Sequence, residues 1–208
     1  MIQDEASTPK VVSSELVYEG VVWNIRRDVF EYNDAEITRE YVDHTGAVAI
    51  LAMDDEGRVL LIQQYRHPVR HREWEIPAGL LDEAGENPLD AAKRELAEEA
   101  DLEAADWSLL SEFYTSPGGS DEVIRIYLAR GLTATAEAFD RTEEEADIET
   151  RWVSLDEALD AVLARRLHNP STTIAVLAAT AARSRNWESL GEADSPWPRH
   201  PKLGIQGR

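Results

Sequence analysis

Residues 79–102 read GLLDEAGENPLDAAKRELAEEADL, a short turn that runs straight into a helix. Asn87-Pro88-Leu89-Asp90 is a helix start, with Asn as N-cap, Pro at the first helical position and a carboxylate at the third. Leu89, Ala92, Leu96 and Ala100 recur at helical spacing and make one apolar, buried face. Glu95, Glu98 and Glu99 stand at i, i+3 and i+4, which gathers three carboxylates on another face. Like charges at that spacing cost an isolated helix roughly 0.2–0.5 kcal/mol per pair. Arg94 can reach Glu98 across one turn, but one arginine does not balance three glutamates. A solvated acidic surface accounts for most such runs. The other account is a divalent cation, and an all-oxygen cluster suits Mg²⁺ or Mn²⁺ rather than zinc.

The wider pattern favours the cation. Gly79, then Glu86, then seven residues to Arg94-Glu95-Leu96-Ala97-Glu98-Glu99 resembles the signature of the Nudix hydrolases, which cleave nucleoside diphosphates linked to another moiety. Two features depart from that signature. Six residues rather than five separate Gly79 from Glu86, an insertion also seen in some ADP-ribose-hydrolysing members. Asp101 replaces the glycine that normally follows the helix in a left-handed C′ position, a conformation Asp tolerates better than most residues. Neither departure removes a carboxylate. The resemblance implies that Glu95, Glu98 and Glu99, with the backbone carbonyl of Ala78, hold two or three Mg²⁺ ions, with Mn²⁺ as a substitute. It also implies that Arg94 orients the glutamates and that Glu86 supports the loop and Arg94.

The totals bound the rest. At 208 residues the chain has room for one sizeable core and a smaller appendage. The lack of cysteine removes disulfides and thiolate chemistry and fits a reducing compartment. No apolar run approaches the roughly 20 residues that span a bilayer, and the polar start MIQDEASTPK does not read as a signal peptide. The expected localisation is cytoplasmic, without a membrane partner. A net charge of −20, with only three lysines among 21 basic residues, argues against nucleic acid as a partner.

Along the chain, residues 11–42 read as short strands rich in Val, Trp, Tyr and Phe, broken at Gly20 and Asn33-Asp34. A three-stranded meander is too small to bury its own core. Residues 1–45 are therefore expected as a small N-terminal β domain that packs on the main domain or on a partner subunit. AVAILAM, from Ala47, is a buried strand, and RVLLIQQYR, from Arg58, is expected to return as its hairpin partner. REWEIPAG reads as one strand running into Gly79. Two further strands flank the loop Ser116 to Glu122. The acidic segment 133–149 lacks a hydrophobic period and reads as a solvated loop. Helices follow over 154–166, capped by Ser154, and from Asn169-Pro170-Ser171-Thr172 onward. Residues 184–208, with three prolines and two tryptophans, read as a tail that is disordered or draped over the surface. The elements fit a Nudix-type α/β/α sandwich over 46–183, its mixed central sheet flanked by the box helix and the C-terminal helices.

Other site residues follow from the resemblance. Arg66 ends a strand where it either caps a sheet edge or, as in Nudix ADP-ribose hydrolases, lies near the substrate phosphates; Glu75, on the strand that leads into Gly79, is a further candidate beside the substrate. Arg26 and Arg27 are exposed charges by default, or one of them faces an anionic nucleotide. Pro117-Gly118-Gly119 alone is only a turn signal. However, Pro117 stands 15 residues beyond Leu102, about where ADP-ribose pyrophosphatases carry a proline. Glu122 matches a residue that in relatives touches the terminal ribose, sometimes from the neighbouring subunit. Relatives also place in the acidic loop a glutamate that reaches the attacking water. Spacing to Ala146-Asp147-Ile148 points to Glu144, with Glu143 and Glu145 close behind. The implied activity is Mg²⁺-dependent hydrolysis of ADP-ribose to AMP and ribose 5-phosphate by a homodimer. The alternatives are hydrolysis of another nucleoside diphosphate sugar or of a dinucleotide, and a non-hydrolysing ADP-ribose sensor. Such sensors typically lose box carboxylates, all of which this chain keeps.

Overall fold

The computed structural model describes residues 2–139, 141 and 147–203, and the chain divides into two compact units. One comprises Met1–His44 and Tyr114–Glu122, the other Thr45–Phe113 and Val123–Arg208. The first unit is built on an antiparallel meander of β1 (Val11–Tyr18), β2 (Asn24–Tyr32) and β3 (Ala35–Asp43). Asn33 and Asp34 turn the β2–β3 hairpin with φ of 50° and 60°, the pair of positive values that a two-residue turn compatible with strand twist requires. Every residue of β1 is exposed, including Val11, Val12, Leu16, Val17 and Tyr18.

The described residues of the second unit form two sheets. The larger runs in the order β11 (Gly191–Glu192), β8 (Leu102–Tyr114), β9 (Val123–Ala134), β4 (Ala47–Ala52) and β7 (Ala78–Leu80). It is mixed, because β4 pairs parallel with β9 and antiparallel with β7. The smaller sheet places β5 (Arg58–Arg66) between β10 (Glu149–Ser154) and β6 (His71–Glu75). Among the described residues three helices complete the unit: α1 (Pro88–Ala100), α2 (Leu155–Leu163) and α3 (Pro170–Arg183). Strand alternation splits β4 between two apolar clusters. Ala47, Ala49 and Leu51 join Ala175, Val176 and Ala179 of α3, while Val48, Ile50 and Ala52 join Ala91, Ala92 and Leu96 of α1. The layering is the expected α/β/α sandwich.

Two pairings differ from the local reading of the sequence. RVLLIQQYR is not the hairpin partner of AVAILAM, and only a single bridge, Met53 with Val59, joins the two at their turn. An apolar strand buried on both faces needs neighbours on both edges, and β9 and β7 take them, so β5 pairs instead with β6 and β10. REWEIPAG is likewise two strands in two sheets. Pro77 ends the first and cannot donate to a ladder, while its carbonyl accepts from the Ile50 N–H at 2.7 Å. As far as Leu203, the C-terminal segment is draped over the sheet. Gly191 and Glu192 pair with β8, Trp197 and His200 are buried, and Arg125 donates to the carbonyls of Ser195 (2.8 Å) and Pro196 (3.2 Å). No helix among the described residues is long and apolar enough to cross a membrane.

Candidate active site

Helix α1 is fixed at both ends by its own sequence. Asn87 Oδ1 accepts from the Leu89 N–H at 2.9 Å, and Pro88 occupies the first turn. At the other end Asp101 adopts the left-handed conformation (φ 53°, ψ 38°), and its N–H donates back to the Ala97 carbonyl at 2.9 Å. Its carboxylate accepts from the Phe139 N–H (2.8 Å) and from Arg141 Nη2 (2.6 Å), while Arg141 Nε donates to the Glu98 carbonyl (2.9 Å). Burial pushes the Asp101 carboxyl up, but the Phe139 N–H and the Arg141 guanidinium outweigh it and hold it below the ordinary aspartate value. The buried face of α1 carries Ala91, Ala92, Leu96 and Glu99, whereas Leu89 and Ala100 are only half-buried.

That buried glutamate organises the site. Glu99 is 4% exposed, and its Oε2 accepts the Ala78 N–H at 2.8 Å, which joins α1 to β7. At the next residue, a Cβ on Gly79 would stand 1.9 Å from Cδ of Glu95. The glycine is therefore a cradle for the Glu95 carboxylate. Arg94 ties the rest together. Its Nε and Nη2 each donate at 3.0 Å to Glu86 Oε1 and Oε2, and its Nη1 donates to Glu95 Oε1 (2.6 Å) and Glu98 Oε2 (3.1 Å). The Glu86 hydrogen bonds foremost, then the charge of Glu95, push the Arg94 pKa further up from its already high value. Among the described residues no three His, Asp or Glu side chains form a ready metal cage, since Glu95 and Glu98 both turn toward Arg94. The donor chemistry nonetheless suits a hard divalent cation: three carboxylates from one helix, two of them held against a strand.

The remaining sequence-derived residues fall as follows. Arg66 Nε and Nη2 grip Glu75 Oε1 and Oε2 at 2.9 and 2.7 Å. The glutamate is buried and the arginine side chain is 41% exposed, so a carboxylate beneath holds the guanidinium at the surface. In the first unit, Arg26 and Arg27 point to opposite faces of the meander. Arg26 donates to Asp43 and Ser14, and Arg27 to Glu40 and Glu15. At most one of the two can meet a given ligand. Pro117 and Gly119 form a tight turn in which the Gly119 and Ser120 N–H groups both reach the Ser116 carbonyl at 2.9 Å. Glu122 accepts from Thr115 Oγ1 at 2.6 Å and lies 3.3 Å from His44 Nε2. Glu143, Glu144 and Glu145 lie outside the described residues. Sequence reasoning missed His44 and Thr115, because a lone histidine or threonine at a strand end carries no motif.

A glutamate-bearing helix set on a glycine-bearing strand within an α/β/α sandwich defines a class of protein, and comparison with known proteins agrees. The NUDIX domain model matches residues 43–173. The chain is 42% identical over 193 residues to the ADP-ribose pyrophosphatase of Mycobacterium tuberculosis (strain ATCC 25618 / H37Rv), with 92% of each covered. It is 38% identical to the ADP-ribose pyrophosphatase of Bacillus subtilis (strain 168) and to the methanol dehydrogenase activator of Bacillus methanolicus. Each of these alignments covers 80% of this chain and 90% of the relative. A crystal structure of an ADP compounds hydrolase shares the fold at a TM-score of 0.72 and 19% identity, over 88% of this chain and 98% of that one. The chain belongs to the NUDIX family.

Proposed function

We propose that this chain hydrolyses the diphosphate bond of ADP-ribose, adding one water to give AMP and ribose 5-phosphate. The observation that carries the reading is the lock between α1 and β7, with Glu99 on the Ala78 N–H and Glu95 in the Gly79 cradle. Names of relatives at 38–42% identity over most of the chain support the substrate.

Glu95, Glu98 and Glu99, with the Ala78 carbonyl, are assigned to hold Mg²⁺, with Mn²⁺ as a substitute and two or three ions per site. Bound Mg²⁺ supplies charge neutralisation for the diphosphate and lowers the pKa of an attacking water. The protein's own groups do the rest. Arg94 fixes the carboxylates against one another, Arg66 on its Glu75 support binds phosphate oxygens, and Glu122 takes a ribose hydroxyl. Glu144 takes the proton from the attacking water, with Glu143 and Glu145 as the competing assignments. General-base assistance is worth about 10²–10⁴-fold, so Glu144→Gln should cut kcat by that order with little change in KM. Loss at a neighbour instead moves the base by one residue.

The decisive experiment is product analysis of purified protein with Mg²⁺ on ADP-ribose, other ADP- and GDP-sugars, NADH and diadenosine polyphosphates. AMP and ribose 5-phosphate from ADP-ribose at the highest kcat/KM are expected. Preference for another conjugate would move the substrate, and tight binding without turnover would make the chain a sensor. We further propose a cytoplasmic homodimer. The apolar side chains that β1 leaves exposed, with Val21, Val22 and Tyr32, are the ones a second copy would cover.

A further inference from the structure

Within the first unit one histidine is built in more deeply than a surface loop requires. His44 follows β3 and is 4% exposed, and its ring stacks on Trp23 with centroids 4.1 Å apart and planes 20° from parallel. Its backbone N–H donates to Asp121 Oδ1 at 2.7 Å. The Val42 N–H donates to the Gly119 carbonyl (2.9 Å), and the Asp121 N–H returns to the Val42 carbonyl (3.3 Å). The end of β3 and the 116–122 turn are thus stitched together by two backbone hydrogen bonds and by the Asp121 carboxylate, none of which uses the imidazole. Burying a polar ring is costly unless it has a partner, and Glu122 Oε1 lies 3.3 Å from Nε2, within ion-pairing distance. An ionised carboxylate only accepts, so the contact is favourable when Nε2 carries the proton. Thr115 Oγ1 occupies the other oxygen at 2.6 Å. Glu122 thus has the Thr115 hydroxyl on one oxygen and the His44 ring against the other, and each oxygen keeps a further lone pair for a ligand hydroxyl.

We propose that His44 is a positioning residue for substrate recognition. It fixes the Glu122 carboxylate in the orientation that accepts hydrogen bonds from a ribose hydroxyl. The inference rests on the reading of Glu122 as a substrate contact. A carboxylate held from both sides has already lost its rotamer freedom, so binding does not have to supply that ordering. The effect belongs in KM, because Glu122 meets a part of the substrate remote from the bond that breaks.

The test compares His44→Gln with His44→Asn. The Gln amide reaches about as far as Nε2, whereas the Asn amide reaches only as far as Nδ1 and falls short of Glu122. Both are polar and smaller than the ring, so they disturb the Trp23 stack alike. Steady-state kinetics with ADP-ribose and saturating Mg²⁺ should show KM raised about tenfold in His44→Asn, with kcat within about twofold, and largely restored in His44→Gln. Glu122→Gln alone should raise KM, and adding His44→Asn to it should raise KM no further, as expected for residues acting through one contact. Equal KM values in the Asn and Gln variants, or a loss confined to kcat and thermal stability, would overturn the role of His44. An unchanged KM in Glu122→Gln would remove the substrate contact on which the inference stands. That outcome is distinct from a Glu122 effect that persists without any His44 effect.

Discussion

At the scale of single residues, the site is a set of carboxylates whose geometry depends on their immediate supports. Glu99 is buried and held by a backbone N–H, so Glu99→Gln keeps the shape and removes the charge a cation would need. Turnover should fall by roughly 10²-fold or more, at least the loss that follows from disturbing a metal's outer shell. Glu95→Gln should behave alike, and the two losses should not add, because both act on one cluster. Near wild-type turnover at saturating Mg²⁺ in either variant would count against the assignment. Gly79→Ala is a sharper probe. The new methyl would fall on the Glu95 carboxyl group, the far end of a side chain that can swing aside, so the fold survives while the carboxylate leaves its place. Activity should drop toward the level of Glu95→Gln, with a melting temperature within a few degrees of the parent. A fully active Gly79→Ala would show that Glu95 is not required where it lies.

At the scale of elements, the end of α1 does more than stop a helix. A glycine would satisfy the left-handed φ of position 101, but it would lose the hydrogen bonds from Phe139 and Arg141 that the aspartate accepts. Asp101→Ala forfeits those bonds and also pays the left-handed penalty of about 1–2 kcal/mol, so it should be less stable than Asp101→Gly by roughly that amount. Urea denaturation of the three proteins measures the difference. The sign of the pH dependence is fixed by the depressed carboxyl. Its stabilisation is present above the unfolded-state pKa, about 3.9, and is lost as pH falls through the lower folded-state value. The separation between wild type and Asp101→Gly should therefore narrow below about pH 4. A constant separation down to the acid limit would mean that the carboxylate contributes nothing there.

At the scale of the whole molecule, the proposed homodimer is supported by an exposed strand carrying Val11, Val12, Leu16, Val17 and Tyr18. Sedimentation at micromolar concentration should give a mass near twice the 23.3 kDa of one chain. Leu16→Glu with Val17→Glu, which change exposed side chains only, should return it to a monomer. A fully active wild-type monomer would remove the assembly from the mechanism.

The sequence by itself determined what is local. Asn87-Pro88 starts α1, Ser154 and Asn169 cap α2 and α3, Asn33-Asp34 turns a hairpin, and Asp101 takes a left-handed φ. Each of these is settled by a few neighbouring residues and a backbone preference. The spacing of Glu95, Glu98 and Glu99 was legible for the same reason, since helical periodicity alone gathers them. Tertiary structure decided which strands pair. β5 leaves β4 because β9 and β7, distant in sequence, occupy both of its edges, and Pro77 passes the chain from one sheet to the other. It also decided that Glu99 meets the Ala78 N–H, that Glu95 rests on Gly79 and that His44 meets Glu122. None of these contacts has a periodic signal, because each joins two elements whose approach is set by packing rather than by the order of residues along either one.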